Sequence, residues 1–156
     1  MNTVKQSDCT VWVGTSGYSF YCWEGAFYRT GIQAQEMLPY YSSQFDTVEL
    51  NYSFYRLPSV KTSAGMVRKT PAGFTFFAKI HQSVSHENDL GCVAAFKEGL
   101  EPLRISGKLA GLLLQFPQRF HNNRENRKHL MRSIHKFKEY PLAVEFRHRS
   151  WSSTTV

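Results

Sequence analysis

The sequence lacks the features of a secreted or membrane-spanning protein. No apolar run approaches the roughly 18 residues that a membrane helix needs. The opening MNTVKQSDCT has no basic-then-apolar signal pattern. Cysteine is scarce, because Cys9, Cys22 and Cys92 are too scattered for a disulfide framework or a C-x-x-C zinc spacing. We therefore expect a cytoplasmic protein with reduced thiols and no membrane partner.

Motifs for a cofactor are also missing. The segment GTSG lacks the spacing of a phosphate-binding loop or of a dinucleotide fingerprint. His81, His148 and two glutamates are suitable metal-ligand types, but no H-x-H or H-E-x-x-H spacing accompanies them. The sequence predicts no cofactor and no metal, with a metal site as the alternative.

Positive charge is in excess. The chain has 19 Lys and Arg against 12 Asp and Glu, a net charge of +7, and much of the excess falls in residues 119–149. Several of these basic residues fall on the polar side of a predicted helix whose other side carries Leu130, Ile134 and Phe137. A solvated helix face is the simpler interpretation, and a nucleic-acid patch is the alternative.

Five short apolar runs recur about 30 to 36 residues apart, the size of a βα unit. They cover residues 11–13, 48–50, 74–80, 111–116 and 142–146. Helices are predicted between them over residues 34–43, from an N-cap at Ser59 to residue 69, over 90–103 and over 122–138. Pro39 should start, kink or break the first of these. The alternation predicts a parallel sheet, either open or closed into a barrel.

The side-chain alternation within the strands favours the barrel. From the second run onward, one face of each strand is apolar, and the other becomes polar only at the carboxyl end. A barrel can place functional groups there, whereas an open sheet covered on both sides should be apolar on both faces. We predict an α/β fold, a partial TIM-like (β/α) barrel with about five βα units of the usual eight. The polar residues at this end are Glu49, Asn51, Lys79, His81, Gln115, Glu145 and Arg147.

Five segments stand out in order between residues 11 and 151: GTSGYSFYCWEGAFYRTG, VELNYSFYRLPS, FTFFAKIHQSVSH, LLLQFP and EFRHRSW. In these segments the chain resembles the YecE-like family, a widespread group of unknown function. The resemblance implies a TIM-barrel-like fold and no established substrate, reaction or cofactor. Matching motif positions are Glu49, Asn51, Tyr55, Lys79, Gln115, Glu145, Arg147 and His148.

The chain is shorter than this resemblance implies. Family members are whole barrels of about 250 residues, whereas this chain of 156 residues stops just after its fifth predicted strand, and its ending SWSSTTV lacks the expected helix. We expect one incomplete barrel domain over residues 1–156, with a polar tail over 1–10 and a non-matching end over 152–156. A truncated, frameshifted or split reading frame would explain this, and exposed barrel edges predict self-association.

The polar cluster suits acid–base chemistry on a bound anion, although its charges could instead only neutralise one another. The predicted catalytic residues are Glu49, Lys79, Glu145 and Arg147, with carboxylates as acid or base and cations stabilising negative charge on oxygen. The predicted substrate-binding residues are Tyr18, Trp23, Asn51, Tyr55, His81, Gln115 and His148. The leading hypothesis is a hydrolase or lyase acting on a small anionic or sugar-like substrate. The alternatives are a nucleic-acid-binding protein or nuclease, and an inactive remnant.

Overall fold

A computed structural model describes residues 11–152. Five strands are present: β1 (Gly14–Ser16), β2 (Thr47–Leu50), β3 (Thr75–Lys79), β4 (Leu109–Phe116) and β5 (Leu142–Phe146). All pair in parallel, in chain order from β1 to β5. With helices following the strands, this is the predicted partial (β/α) barrel. The predicted tail, with Cys9, and residues 153–156 lie outside the described residues.

Six α-helices connect the strands: α1 (Ala34–Ser42), α2 (Tyr52–Tyr55), α3 (Val60–Lys69), α4 (Gln82–His86), α5 (Val93–Ile105) and α6 (Arg124–Lys136). Ser59 caps α3 as predicted, its hydroxyl oxygen accepting from the Thr62 backbone N–H at 3.1 Å. A 3₁₀ turn, Arg149–Trp151, follows β5. None of the helices between residues 11 and 152 combines the length and apolar character that crossing a membrane requires.

The predicted first strand is wrong by three residues. Residues 11–13 are not in the sheet, and Val11 is 72% exposed, because β1 begins only at Gly14. At Gly14 the chain comes so close to β2 that a Cβ would lie 2.0 Å from the Thr47 carbonyl oxygen. Glycine is therefore required where β1 meets β2, and the apolar run before it is not the buried strand.

Pro39 lies inside α1, so the predictions that it starts or breaks the helix are wrong, while a kink stays a prediction. The missing N–H of a helical proline deprives only the carbonyl four residues earlier, here that of Gln35. Both Pro39 and Gln35 are exposed, so water can satisfy that carbonyl. The helix therefore tolerates its proline.

The core lies between the sheet and the helices. The apolar strand face is fully buried at Val48, Phe76, Ala78, Leu112 and Leu114. These side chains belong to one cluster with helical residues that include Tyr41, Leu100, Leu103 and Phe137. The opposite face of β3 is only half buried, at Thr75, Phe77 and Lys79. The side of the sheet that faces the helices is therefore buried. The polar residues at the strand ends lie on the opposite side, which is only half buried.

Candidate active site at the carboxyl ends of the strands

A cavity of about 700 Å³ lies at the carboxyl ends of the strands. Residues of β1 to β5, or of the segments that follow them, contribute to its wall. Its polar lining consists of Ser16, Ser19, Glu49, Asn51, Lys79, Gln115, Glu145 and Arg147, and its rings are Tyr18, Phe20, Tyr52 and Tyr55. In (β/α) barrels this is the end that carries the active site.

The cavity brings together most of the residues singled out in the sequence. It contains all four predicted catalytic residues, Glu49, Lys79, Glu145 and Arg147. It also contains four of the predicted substrate-binding residues: Tyr18, Asn51, Tyr55 and Gln115. Trp23, His81 and His148 are not among its lining residues.

Those three residues have structural contacts instead. The Trp23 ring lies parallel to that of Tyr41, with centroids 6.5 Å apart, inside a cluster that includes Phe27. His81 caps α4, its Nδ1 accepting from the Ser83 backbone N–H at 3.3 Å. His148 makes the same contact with the Ser150 N–H at 3.2 Å. Both histidines therefore shape the turns that follow the strands.

Ser16 is a lining residue that sequence reasoning missed. It ends β1 and lies beside Glu49 in the strand register. Its hydroxyl donates to Glu49 Oε1 at 2.7 Å and accepts from the Asn51 side-chain amide. Because the first strand was predicted at residues 11–13, Ser16 was not recognised as a residue at a strand end. The signal that could have found it is the GTSG segment, a strand end that precedes a turn glycine.

Glu145 has different partners from those of Glu49. Gln115, its register neighbour on β4, donates to Glu145 Oε2 at 2.5 Å, and Arg147 Nε donates to Oε1 at 3.2 Å. Burial raises the pKa of this carboxyl, but the hydrogen bonds from Gln115 and Arg147 outweigh burial and hold it below its ordinary value. Glu145 is therefore a fixed anion at neutral pH.

Lys79 ends β3 between the two carboxylates in strand order. Its Nζ lies 4.6 Å from the centroid of the Phe54 ring. Burial lowers the pKa of Lys79; Glu49 opposes this effect and Arg147 reinforces it, so the net direction is downward. Within residues 11–152 Lys79 forms no ion pair. Its amine is thus easier to deprotonate than that of an ordinary surface lysine.

Metal-binding geometry is not found in the described part of the chain, where no three His, Cys, Asp or Glu side chains are grouped closely enough to hold an ion. The two described cysteines, Cys22 and Cys92, are free thiols. The polar groups that line the cavity are two carboxylates, an amine, a guanidinium, amides and hydroxyls.

The family model for "Protein of unknown function DUF72" matches residues 12–156. The chain belongs to the DUF72 family. This DUF72 chain is similar to the UPF0759 protein YunF of Bacillus subtilis (strain 168), with 32% identity over 151 residues, 92% of this chain and 52% of the relative.

Two solved DUF72 structures are similar to this chain. One, from Thermotoga maritima MSB8, has a TM-score of 0.80 and 37% identity, covering 91% of this chain and 57% of that one. The other, from Enterococcus faecalis V583, has a TM-score of 0.71 and 30% identity, covering 76% and 51%. The chain thus spans about half the length of these DUF72 relatives. The family has no established activity, as its name states.

Proposed function

We propose that the cavity of this DUF72 chain is an acid–base active site, of a hydrolase or lyase, for a small anionic or sugar-like substrate. Two carboxylates with unlike partners support this function. Glu49 is bonded to a serine hydroxyl, whereas Glu145 is bonded to an amide and a guanidinium. Unlike environments are what allow two carboxyl groups in one site to take different roles.

Glu49 is the better proton carrier of the two. Its partner, Ser16, is a neutral hydroxyl that can turn toward a bound substrate or water. Glu145 is held by two donors, one of them charged, and so remains ionised. In the proposed mechanism Glu49 accepts and returns the proton, while Glu145 fixes Gln115 and Arg147 in position.

The cations and the rings define the substrate class. Arg147 supplies positive charge where an anionic group, or an oxygen that gains charge, would lie, and Lys79 adds to this charge in its protonated form. Tyr18, Phe20 and Tyr55 add aromatic surface to the same wall, and Tyr55 is 67% exposed. Aromatic faces and charged hydrogen-bonding groups together suit a sugar acid or sugar phosphate.

A ligand screen with matched variants tests this function. Sugar phosphates and sugar acids are screened for a rise in the melting temperature of the chain, and affinities are measured by calorimetry. We expect Glu49→Gln and Glu145→Gln to lose about 100-fold in affinity or turnover while keeping the wild-type melting temperature. Glu98→Gln, the same change on the exposed face of α5, should behave as wild type. Full binding and turnover in both cavity variants would refute the site.

A nucleic-acid-binding or nuclease function is supported by a different surface. Arg124, Arg127, Lys128 and Arg132 surround the exposed Met131 on α6, around a shallow depression. Phosphate contacts by such residues would weaken steeply with salt. A salt titration with generic DNA and RNA separates the proposals, because absence of binding at low salt would eliminate this alternative.

The third hypothesis is that the short chain is an inactive remnant. If a whole DUF72 relative such as YunF binds a ligand from the screen and this folded chain does not, the remnant hypothesis is supported. We further propose that the protein is cytoplasmic, because Cys22 and Cys92 are free thiols, and that the YecE-like resemblance describes this same family.

A further inference from the structure

We infer that the ε-amino group of Lys79 is a nucleophile that forms an imine with an anionic aldehyde or ketone in the cavity. This inference rests on the proposed function and narrows its substrate class to carbonyl compounds. It also favours a lyase over a hydrolase, because an iminium ion withdraws electrons from the bond next to the former carbonyl carbon.

The neighbours of Lys79 leave its amine uncommitted. The two carboxylates of the cavity already accept hydrogen bonds from Ser16 and from Gln115 and Arg147. On its other side Lys79 meets the face of Phe54, which is 8% exposed. Phe54 shields one side of the amine from water, although its ring face attracts the charged form. Burial, the nearby Arg147 and the lack of an ion pair within residues 11–152 outweigh that attraction and favour a neutral, nucleophilic lysine.

The short helix α2 fixes this arrangement. The Oγ of the buried Ser53 lies 2.6 Å from the carbonyl oxygens of both Leu50 and Lys79, which share its single O–H donor. One side chain thus ties α2 to the carboxyl ends of β2 and β3. The next residue, Phe54, is thereby held against the Lys79 amine, so the apolar contact is built into the backbone.

Lys108 shows why burial alone does not make a nucleophile. Burial lowers its pKa as well, but its Nζ donates to the Thr70 and Pro71 carbonyls, both at 2.7 Å, and to the Val67 carbonyl at 3.3 Å. It does not line the cavity. Lys79 has the lowered pKa and also borders a space that a substrate can enter.

The covalent step balances with groups of the cavity. The Lys79 ammonium first passes a proton to the Glu49 carboxylate, and the neutral amine then attacks the carbonyl carbon, so a C–N bond forms and the C=O π bond breaks. A proton moves from nitrogen to oxygen and gives the carbinolamine. Glu49 then gives the proton it took from Lys79 to the hydroxyl, which leaves as water while the nitrogen lone pair completes the iminium ion. Arg147 is placed to hold the anionic group of the substrate.

Reductive trapping tests the inference on the whole chain. The protein is incubated with glyoxylate, an anionic aldehyde, and sodium cyanoborohydride, which reduces the imine to a stable amine. Peptide mass spectrometry then locates the adducts. We expect Lys79 to be modified first and close to stoichiometrically, and more slowly by glycolaldehyde, which lacks the carboxylate. Lys79→Met should lose this adduct, and the exposed control Lys69→Met should keep it.

The outcomes separate this inference from the proposed function. Labelling spread evenly over the exposed lysines of the wild-type chain would overturn the imine, whether or not Lys79→Met folds. If Lys79 stays unlabelled while Glu49→Gln and Glu145→Gln lose ligand binding, the imine is wrong and the acid–base site stands. If Lys79 is labelled while those two variants bind and turn over normally, the carboxylate roles are wrong instead.

Discussion

His129 is a titratable residue in the core, on the inner side of α6. Its Nε2 donates to the Val84 carbonyl at 2.6 Å, and its ring lies roughly perpendicular to the stacked rings of Phe116 and Phe120. Burial lowers the pKa of His129 and the Val84 hydrogen bond opposes burial only in part, so the pKa falls below 6.5. The folded protein therefore keeps this ring neutral where an unfolded chain would charge it.

Acid should weaken the fold through His129. Below pH 6.5 the unfolded chain takes up a proton that the folded chain resists, so the free energy of unfolding falls until the lower folded pKa is passed. His129→Gln should flatten this part of the profile, whereas His135→Gln, on the exposed face of α6, should not. Urea unfolding at several values between about pH 5 and 8 measures the slopes. Equal slopes in wild type and His129→Gln would contradict this origin.

At the scale of elements, most of the strands and helices that could be predicted are those in which apolar side chains recur at a regular spacing. β2 to β5 follow from apolar runs, and α5 and α6 from helical spacing, because both periods continue long enough to be read. α3 follows instead from the Ser59 N-cap. α2 and α4, of four and five residues, are too short to show one. β1 carries no apolar signal, because it is the sequence GTS and is defined by its pairing with β2.

The residues of the candidate site also fall into those that the sequence pattern predicts and those that it does not. Strand alternation placed Glu49, Lys79, Gln115 and Glu145 on the open side, since residues two apart share a face. The capping contact of His81 depends on the turn after the strand, which alternation does not describe. Ser16 could not be placed while its strand was misplaced. Inside the strands, alternation therefore indicated which residues line the cavity. Beyond the strands, Asn51, Tyr55 and Arg147 line it, whereas His81 and His148 do not.

Two helical glycines should respond oppositely to alanine. In α5, a Cβ on Gly99 would lie 2.0 Å from the Pro58 carbonyl oxygen, so Gly99→Ala forces the backbones apart. We expect it to cost about 1 to 3 kcal/mol. In α3, Gly65 has nothing within 4 Å of such a Cβ, so Gly65→Ala should stabilise the fold by about 0.5 to 1 kcal/mol. Chemical denaturation of both variants measures the difference, and a stabilising Gly99→Ala would contradict the close approach of α5 to Pro58.

At the scale of the molecule, the described sheet has two edges. β1 and β5 each pair with one neighbour, and no residue of β5 is fully buried. Ala143, on the same face of β5 as Glu145, is exposed. A free parallel edge offers unpaired N–H and C=O groups to another chain. The free edges therefore expose backbone hydrogen-bonding groups, and the side of the sheet away from the helices exposes apolar side chains such as Ala143.

The 156-residue chain should therefore self-associate through these edges when it is expressed alone. Light scattering measures association, and calorimetry measures the unfolding transition. Ala143→Lys, which puts a charge on the edge strand, should reduce association, whereas Ala95→Lys on the exposed side of α5 should not. A fragment of a DUF72 relative that carries its later βα units should reduce association and raise the melting temperature. A monodisperse monomer with one sharp transition would show that five units suffice.

The order of pairing in the sheet has a consequence for synthesis on the ribosome. Each strand pairs with the strand that precedes it along the chain, and the sheet runs from β1 to β5 without a crossover between distant strands. A newly emerged βα unit therefore meets an edge whose residues have already left the exit tunnel. Residues 11–152 can therefore grow one unit at a time from the amino-terminal side, because each strand from β2 to β5 pairs with a strand that is already outside the ribosome.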